Sequence, residues 1–398
     1  MGSRRPDRRI AWLAAGLIVI GVATAHPARR VTSTEAAGGS AGGGPTQPPQ
    51  ATRPAATPNS ATRTDASQPT CAAVVAALPL RRRLAQLLVL GVDPTGPGAA
   101  TRLVRGEQVG GIFIGGTATG LLSGHALARV RAASRLPLLV AVDEEGGRVQ
   151  RIDRLGGSIP SAQTMAATMS LRQVRELALA RGRQLRQLGV TVDFAPVVDI
   201  GAGSDDAVIG DRSFSADPLV STRYAAAFAA GLRAAGVLPV VKHFPGHGHA
   251  SGDSHAGRVT TPPIGVLRGD DLVPYRWLPS FGPVAVMVGH LDVPGLTGGQ
   301  PASLSPAAYR LLRTEYRFGG VAITDDLGSM KAVTDRFGLA DAVLRALRAG
   351  ADIALWTSGA GPAAVLDRLQ AAVASGELPA ARVNEAVRRV LIAKSACA

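Results

Sequence analysis

Cysteine and aromatic side chains are both scarce in this 398-residue chain, which has two cysteines and only 4% Phe, Trp and Tyr. Two thiols, Cys71 and Cys397, suit one disulfide in an exported protein better than a metal or redox centre, with two free thiols as the alternative. Acidic residues are also few, 29 against 43 Lys and Arg, leaving a net charge of +14. Such a balance points to an anionic partner. Nucleic acid is excluded as that partner: arginine is spread along the whole chain, and aromatics are too few for base-stacking platforms. There is no HExxH arrangement, and His247, His249 and His255 match no standard zinc spacing, so neither metal nor cofactor is expected. Beyond residue 25 no apolar run is long enough to span a membrane.

The N-terminus carries an address. Arg4, Arg5, Arg8 and Arg9 precede an uncharged apolar run over 10–25, and Ala23-Thr24-Ala25 offers a small-x-small cleavage site. Residues 1–25 read as a signal peptide, an uncleaved N-terminal anchor being the alternative and the one expected route to a membrane. Residues 26–70, rich in Gly, Pro, Thr, Ala and Ser, lack the apolar surface to offset their ordering entropy and read as a disordered linker. The expected product is an exported, secreted or envelope-associated protein with one folded domain over 71–398.

Within that domain short apolar runs alternate with helical patterns. Strands are expected at 87–92, 111–114, 136–142, 191–198, 238–241, 284–288, 320–324 and 352–356. Helices are expected at 171–188, 218–235, 306–316 and 338–349, with Gly189, Gly236 and Gly350 as C-terminal stops. Eight strands with intervening helices favour a single α/β domain, a (β/α)₈ barrel, over a doubly wound open sheet.

Barrels place reactive groups at the C-terminal strand ends. Five polar residues obey that rule: Asp143, Lys242, His243, His290 and Asp325. The Gly-rich stretch from Lys242-His243-Phe244-Pro245-Gly246-His247-Gly248 to Asp253-Ser254-His255 reads as a mobile loop able to swing a side chain over a ligand. Asp253 stands two residues before His255, close enough for its carboxylate to orient the ring for proton transfer. Asp325 ends its strand as a carboxylate suited to attack an anomeric carbon, and Asp326 reads as an N-cap for the next helix.

These segments resemble the bacterial β-N-acetylhexosaminidase branch of glycoside hydrolase family 3 over most of 75–395. The resemblance rests on Asp143-Glu144-Glu145-Gly146-Gly147-Arg148-Val149-Gln150-Arg151, on Gly210-Asp211-Arg212-Ser213-Phe214, on the Lys242–His255 segment and on Thr324-Asp325-Asp326-Leu327 through Met330-Lys331-Ala332. Gly328-Ser329 looks like a one-residue expansion of the last segment. The resemblance implies a retaining exo-β-N-acetylglucosaminidase with Asp325 as nucleophile and an Asp253–His255 acid/base dyad in place of the usual second carboxyl. Asp143, Arg151, Arg212, Lys242 and His243 would hold the sugar. Strand-end position alone puts His290 and Trp356 at the rim, with barrel packing as the equal alternative for Trp356. The implied substrate is an N-acetylglucosamine-containing glycan, with muropeptides of the cell wall suiting the basic chain. The alternatives are a family 3 β-glucosidase, which would need a carboxylic acid/base, and a catalytically inactive wall-glycan-binding protein on the linker.

Overall fold

The computed structural model describes residues 69–397 except 202, 203, 205 and 206. The expected signal segment and nearly all of the expected linker lie outside the described residues. Ten strands occur among the described residues: β1 (Leu88–Gly91), β2 (Gly111–Phe113), β3 (Leu139–Val142), β4 (Val192–Asp193), β5 (Leu238–Phe244), β6 (Val259–Thr260), β7 (Ala285–Val288), β8 (Leu291–Asp292), β9 (Ala322–Asp326) and β10 (Ile353–Trp356). Eight of them close a parallel barrel in the order β1-β10-β9-β7-β5-β4-β3-β2, the fold expected of the sequence. The remaining two, β6 and β8, form a small parallel pair.

Parallel strands covered on both faces read as unbroken apolar runs, and Leu139-Val140-Ala141-Val142 of β3 is buried at all four positions. Proline corrects two of the expected strands. β3 begins at Leu139 rather than 136, because Pro137 has no N–H to give to a ladder. Of 191–198 only Val192–Asp193 pairs continuously; Pro196 interrupts the donors, and pairing returns as a single Val197–Lys242 bridge. Two other strands run further than expected. β5 extends through Lys242, His243 and Phe244, and β9 through Asp325 and Asp326, so the polar residues there belong to the last strand positions.

Helix Leu171–Gln187 starts on a capping box between Ser170 and Gln173. Helix Pro218–Ala234 has Asp217 as its cap, with the carboxylate accepting from the amides of Leu219 and Val220. These two helices meet nearly backbone to backbone, since a Cβ on Gly231 would lie 2.4 Å from the Arg175 carbonyl oxygen. The expected helix 306–316 is α-helical only over Pro306–Arg310 and then widens to a π-helical Leu311–Glu315.

On the barrel floor, opposite the C-terminal strand ends, Asp352 is fully buried and meets Arg313 at 2.6 Å, Arg382 at 2.6 Å and Arg389 at 3.2 Å. The two ends of the folded domain are joined as well. Cys71 and Cys397 form a disulfide with Cα atoms 4.9 Å apart.

Candidate active site

A cavity of about 710 Å³ opens at the C-terminal ends of the barrel strands. Asp143, Arg151, Arg212, Lys242, His243, His255 and Asp325 all reach it. Asp253 stands just behind His255. The residues singled out in the sequence therefore come together, although they arise from five separate segments.

One wall is an ion network. Lys242 Nζ lies 2.8 Å from Asp143 and 2.6 Å from Glu145. Arg212 is held by the same Glu145 through both carboxylate oxygens, at 2.7 and 2.9 Å. Arg151 reaches Asp143 at 3.5 Å. Burial works against the Glu145 carboxylate, yet Arg212 and Lys242 outweigh it and hold that group well below the glutamate range. Burial likewise opposes the Lys242 ammonium, while Asp143 and Glu145 keep it above the usual lysine range. The donors are thus fixed in their charged forms and in position.

His243 is oriented from behind. Asp199, fully enclosed, accepts from His243 Nδ1 at 2.6 Å and from the amides of His243 at 3.1 Å and His247 at 2.8 Å. With Nδ1 so used, the His243 Nε2 is left for a ligand. Burial raises the Asp199 carboxyl, but the charge and hydrogen bond of His243 bring it below the ordinary range. Behind this layer, Gly248 lies so close to the Ile200 backbone that a Cβ would sit 1.6 Å from its carbonyl oxygen.

Asp325 has one carboxylate oxygen 2.8 Å from the Asp326 amide. Burial pushes its carboxyl up; His243, His290, that amide and Lys242 together overcome it and keep the group below the usual aspartate range. Asp326 is not the helix cap expected of it. Its carboxylate accepts from the amides of Gly328 at 2.8 Å and Thr357 at 3.1 Å, and from the Thr357 hydroxyl, so it ties the turn after β9 to the end of β10. The following helix begins only at Lys331, and Gly328-Ser329 is absorbed in that turn.

Asp253 Oδ1 accepts from both the amide of His255, at 2.9 Å, and its ring Nδ1, at 2.8 Å. Burial raises the Asp253 carboxyl and the two His255 hydrogen bonds lower it further, leaving it a carboxylate. The ring is accordingly proton-bearing at Nδ1, and Nε2 is the nitrogen free to exchange a proton. The His255 side chain is 70% exposed. Its loop is anchored to the segment after Asp325, because the Ala332 amide donates to the Ser254 carbonyl at 3.2 Å.

The rim expectation is corrected for His290, and for Trp356 the packing alternative holds. His290 is 1% exposed, with Nδ1 on the Ser303 hydroxyl at 2.7 Å and Nε2 donating to the Asp326 carbonyl at 2.9 Å; it supports the turn behind the cavity. Trp356, also 1% exposed, donates to the Ala360 carbonyl and packs in the barrel. The three loop histidines weighed as metal ligands go to three partners: His247 to Ser254, His249 to Asp271 and His255 to Asp253. Among the described residues one set of ligand atoms lies within 4.8 Å of one another, those of His249, Asp270 and Asp271, and the His249–Asp271 hydrogen bond at 2.8 Å accounts for it.

Sequence reasoning left Glu145 and Asp199 without a function. Both follow apolar strand runs, and the strand-end rule applied evenly would have found them.

The chain matches the glycosyl hydrolase family 3 N-terminal domain over residues 79–393. It belongs to glycosyl hydrolase family 3. Within that family it is 56% identical over 330 residues to the beta-hexosaminidase LpqI of Mycobacterium tuberculosis, covering 81% of this chain and 84% of that protein. A solved family 3 glycosyl hydrolase from Mycobacterium smegmatis superimposes with a TM-score of 0.78 at 58% identity, over 80% of this chain and 98% of the other. A family 3 beta-N-acetylglucosaminidase from a Paenibacillus species gives 0.76 at 32% identity, over 80% of this chain and 63% of the other. The family 3 frame places the cavity described above at the mouth of the shared barrel.

Proposed function

We propose that this family 3 hydrolase is a retaining exo-β-N-acetylglucosaminidase. The observation that carries the reading is the joint presence of Asp325 and the Asp253–His255 pair at one cavity whose facing wall is a fixed set of charged hydrogen-bond donors and acceptors. Asp325 stays ionised in spite of its burial, which a nucleophile requires.

In the first step an Asp325 carboxylate oxygen forms a bond to the anomeric carbon. The bond to the glycosidic oxygen breaks, and that oxygen takes the proton from His255 Nε2. In the second step His255 Nε2 removes a proton from water, the water oxygen bonds to the anomeric carbon, and Asp325 leaves as carboxylate. Two inversions give net retention. Asp143, Arg151, Arg212, Lys242 and His243 orient the sugar hydroxyls through charge-assisted hydrogen bonds. The substrate class we propose is a terminal β-linked N-acetylglucosamine on wall-derived muropeptides. The relatives' names support the N-acetylglucosamine, and a basic chain suited to anionic fragments supports the wall-derived source. It goes with export through the N-terminal segment.

The test is turnover of 4-nitrophenyl β-N-acetylglucosaminide and β-glucoside by the full chain, with Asp325→Ala and His255→Ala alongside. Turnover of the N-acetylglucosaminide that falls at least about 10³-fold in Asp325→Ala, and about 10²–10⁴-fold in His255→Ala, is expected. A folded wild-type protein that cleaves neither glycoside, or an Asp325→Ala variant of undiminished rate, would refute the assignment.

A further inference from the structure

The positive charge of the chain is not used up by the catalytic cavity, and part of it gathers on the opposite face. A pocket of about 240 Å³ lies at the barrel floor, beneath the starts of β3, β4 and β5, and the chain segment following helix Ala380–Ala393 closes its side. Arg131, Arg186 and Lys394 line it, and among the described residues no acidic one does. Arg131 and Arg186 are exposed, and neither guanidinium has a hydrogen-bond or ion-pair partner among the described residues. The depression runs on past Arg131 to Arg135 in one direction, and past Ala393 and Ser395 to Arg388 in the other.

Lys394 is the telling residue. It is 9% exposed, and its ammonium has a neutral partner, Gln86 Oε1 at 2.7 Å. A buried ammonium without a counter-charge is costly, and burial pushes this one down to about 7. Elsewhere on the same floor the chain neutralises buried cations from within, placing Arg313, Arg382 and Arg389 around Asp352. Among the described residues no such carboxylate serves Lys394. The C-terminal end of helix Ala380–Ala393 contributes roughly half a negative charge, too little to balance one ammonium and two guanidinium groups.

We propose that the floor pocket bounded by Arg131, Arg186 and Lys394 is a binding site for a phosphate-type oxyanion, separate from the catalytic cavity. Guanidinium groups offer planar donor pairs suited to tetrahedral oxyanions, and Lys394 adds a third cation to the lining. The oxyanion is either free in solution or the head group of a surface phosphodiester, and the experiment separates the two. The full chain is titrated calorimetrically with inorganic phosphate at pH 7 and low ionic strength. In parallel it is sedimented with phosphatidylglycerol vesicles and with phosphatidylcholine vesicles. Arg131→Gln/Arg186→Gln, at two exposed positions, and Lys394→Gln are measured beside the wild type.

Saturable one-to-one phosphate binding is expected, weakened at least tenfold in the double variant and in Lys394→Gln. Glycosidase kcat/KM should stay within twofold in both. Sedimentation with phosphatidylglycerol alone, lost in the double variant, would assign the site to a surface head group; phosphate binding without it would assign a free anion. Absence of both kinds of binding in the wild type overturns the proposal. So does binding that the double variant retains within threefold, because the anion then sits elsewhere.

Discussion

Replacing Glu145 by Gln tests how much of the sugar-binding wall depends on one buried carboxylate. Glu145 accepts two hydrogen bonds from Arg212 and one from Lys242, all between 2.6 and 2.9 Å. Hydrogen bonds to charged groups contribute about 1.5–3 kcal/mol each, against about 0.5–1.5 kcal/mol for neutral pairs, so losing the charge costs about 1 kcal/mol per bond. The glutamine amide also has one NH₂ group, which must face a cation, and one of the three bonds is lost outright. The sum is about 3–4 kcal/mol, within the range for breaking a buried ion pair. If half of that is felt by the bound sugar, kcat/KM falls about 10–30-fold. The remainder appears as a thermal midpoint lowered by about 3–8 °C at about 2–4 °C per kcal/mol for a domain of this size.

The control is Glu144→Gln. Its carboxylate is fully buried, accepts from the amides of Arg151 and Ile152, and does not reach the cavity. Glu144→Gln should lower the midpoint but leave kcat/KM within about threefold. The pH dependence has a definite sign. The depressed Glu145 group stabilises the fold above the unfolded glutamate pKa of about 4.3 and loses that contribution only as pH falls through its lower folded value. The midpoint difference between wild type and Glu145→Gln should therefore hold from pH 7 to pH 5. Chromogenic kinetics and scanning calorimetry suffice. A Glu145→Gln enzyme with wild-type kcat/KM, or one indistinguishable in kinetics from Glu144→Gln, would refute the reasoning.

Four further outcomes are expected. Cys71→Ser removes a cross-link spanning a sequence separation of 326 and should destabilise the domain by about 2–5 kcal/mol, which urea titration with and without reductant measures. Gly248→Ala forces the loop away from the Ile200 carbonyl, and soluble yield and activity should fall together because that contact lies between the sugar-binding His243 and the catalytic His255 on one segment. Asp253→Asn removes the carboxylate that orients the His255 ring, so kcat should drop about 10–100-fold with a smaller change in KM, the smallest losses falling on substrates with the most acidic leaving groups. Asp271, raised to about 6 chiefly by burial, holds a proton in the folded state that the unfolded chain releases near 3.9. Wild-type stability should consequently decline between pH 4 and pH 6 by up to about 3 kcal/mol, and Asp271→Asn should flatten that slope in denaturant melts.

The barrel was legible because parallel strands covered on both faces must be continuously apolar, and all eight runs became staves of the barrel. The bounds that moved did so at Pro137 and Pro196, where a missing N–H outweighs apolar patterning, and at β5 and β9, where charged residues remain in the ladder because a polar cavity receives them. The site was legible wherever a strand ended in a charge. What the pattern could not give was direction. His290 and Trp356 end strands as His243 and Asp325 do, but their polar atoms are taken by Ser303, the Asp326 carbonyl and the Ala360 carbonyl. Asp326 has the residue type and place of a helix cap, and only the close approach of Thr357 from the next strand turns it to other use. The ties of His290 to Asp326 and of Asp326 to Thr357 join neighbouring strands more than 30 residues apart in the chain and leave no local trace in the sequence.

The Cys71–Cys397 bond makes the folded domain a covalent ring. A ring has no privileged starting point, so the order in which its segments are synthesised is separable from the shape they adopt. A short peptide in place of the disulfide would let the chain be reopened at the exposed turn between helices Ala363–Ala374 and Ala380–Ala393, around Ser375 and Gly376. The rearranged gene would then encode the same mouth, read from a different first residue.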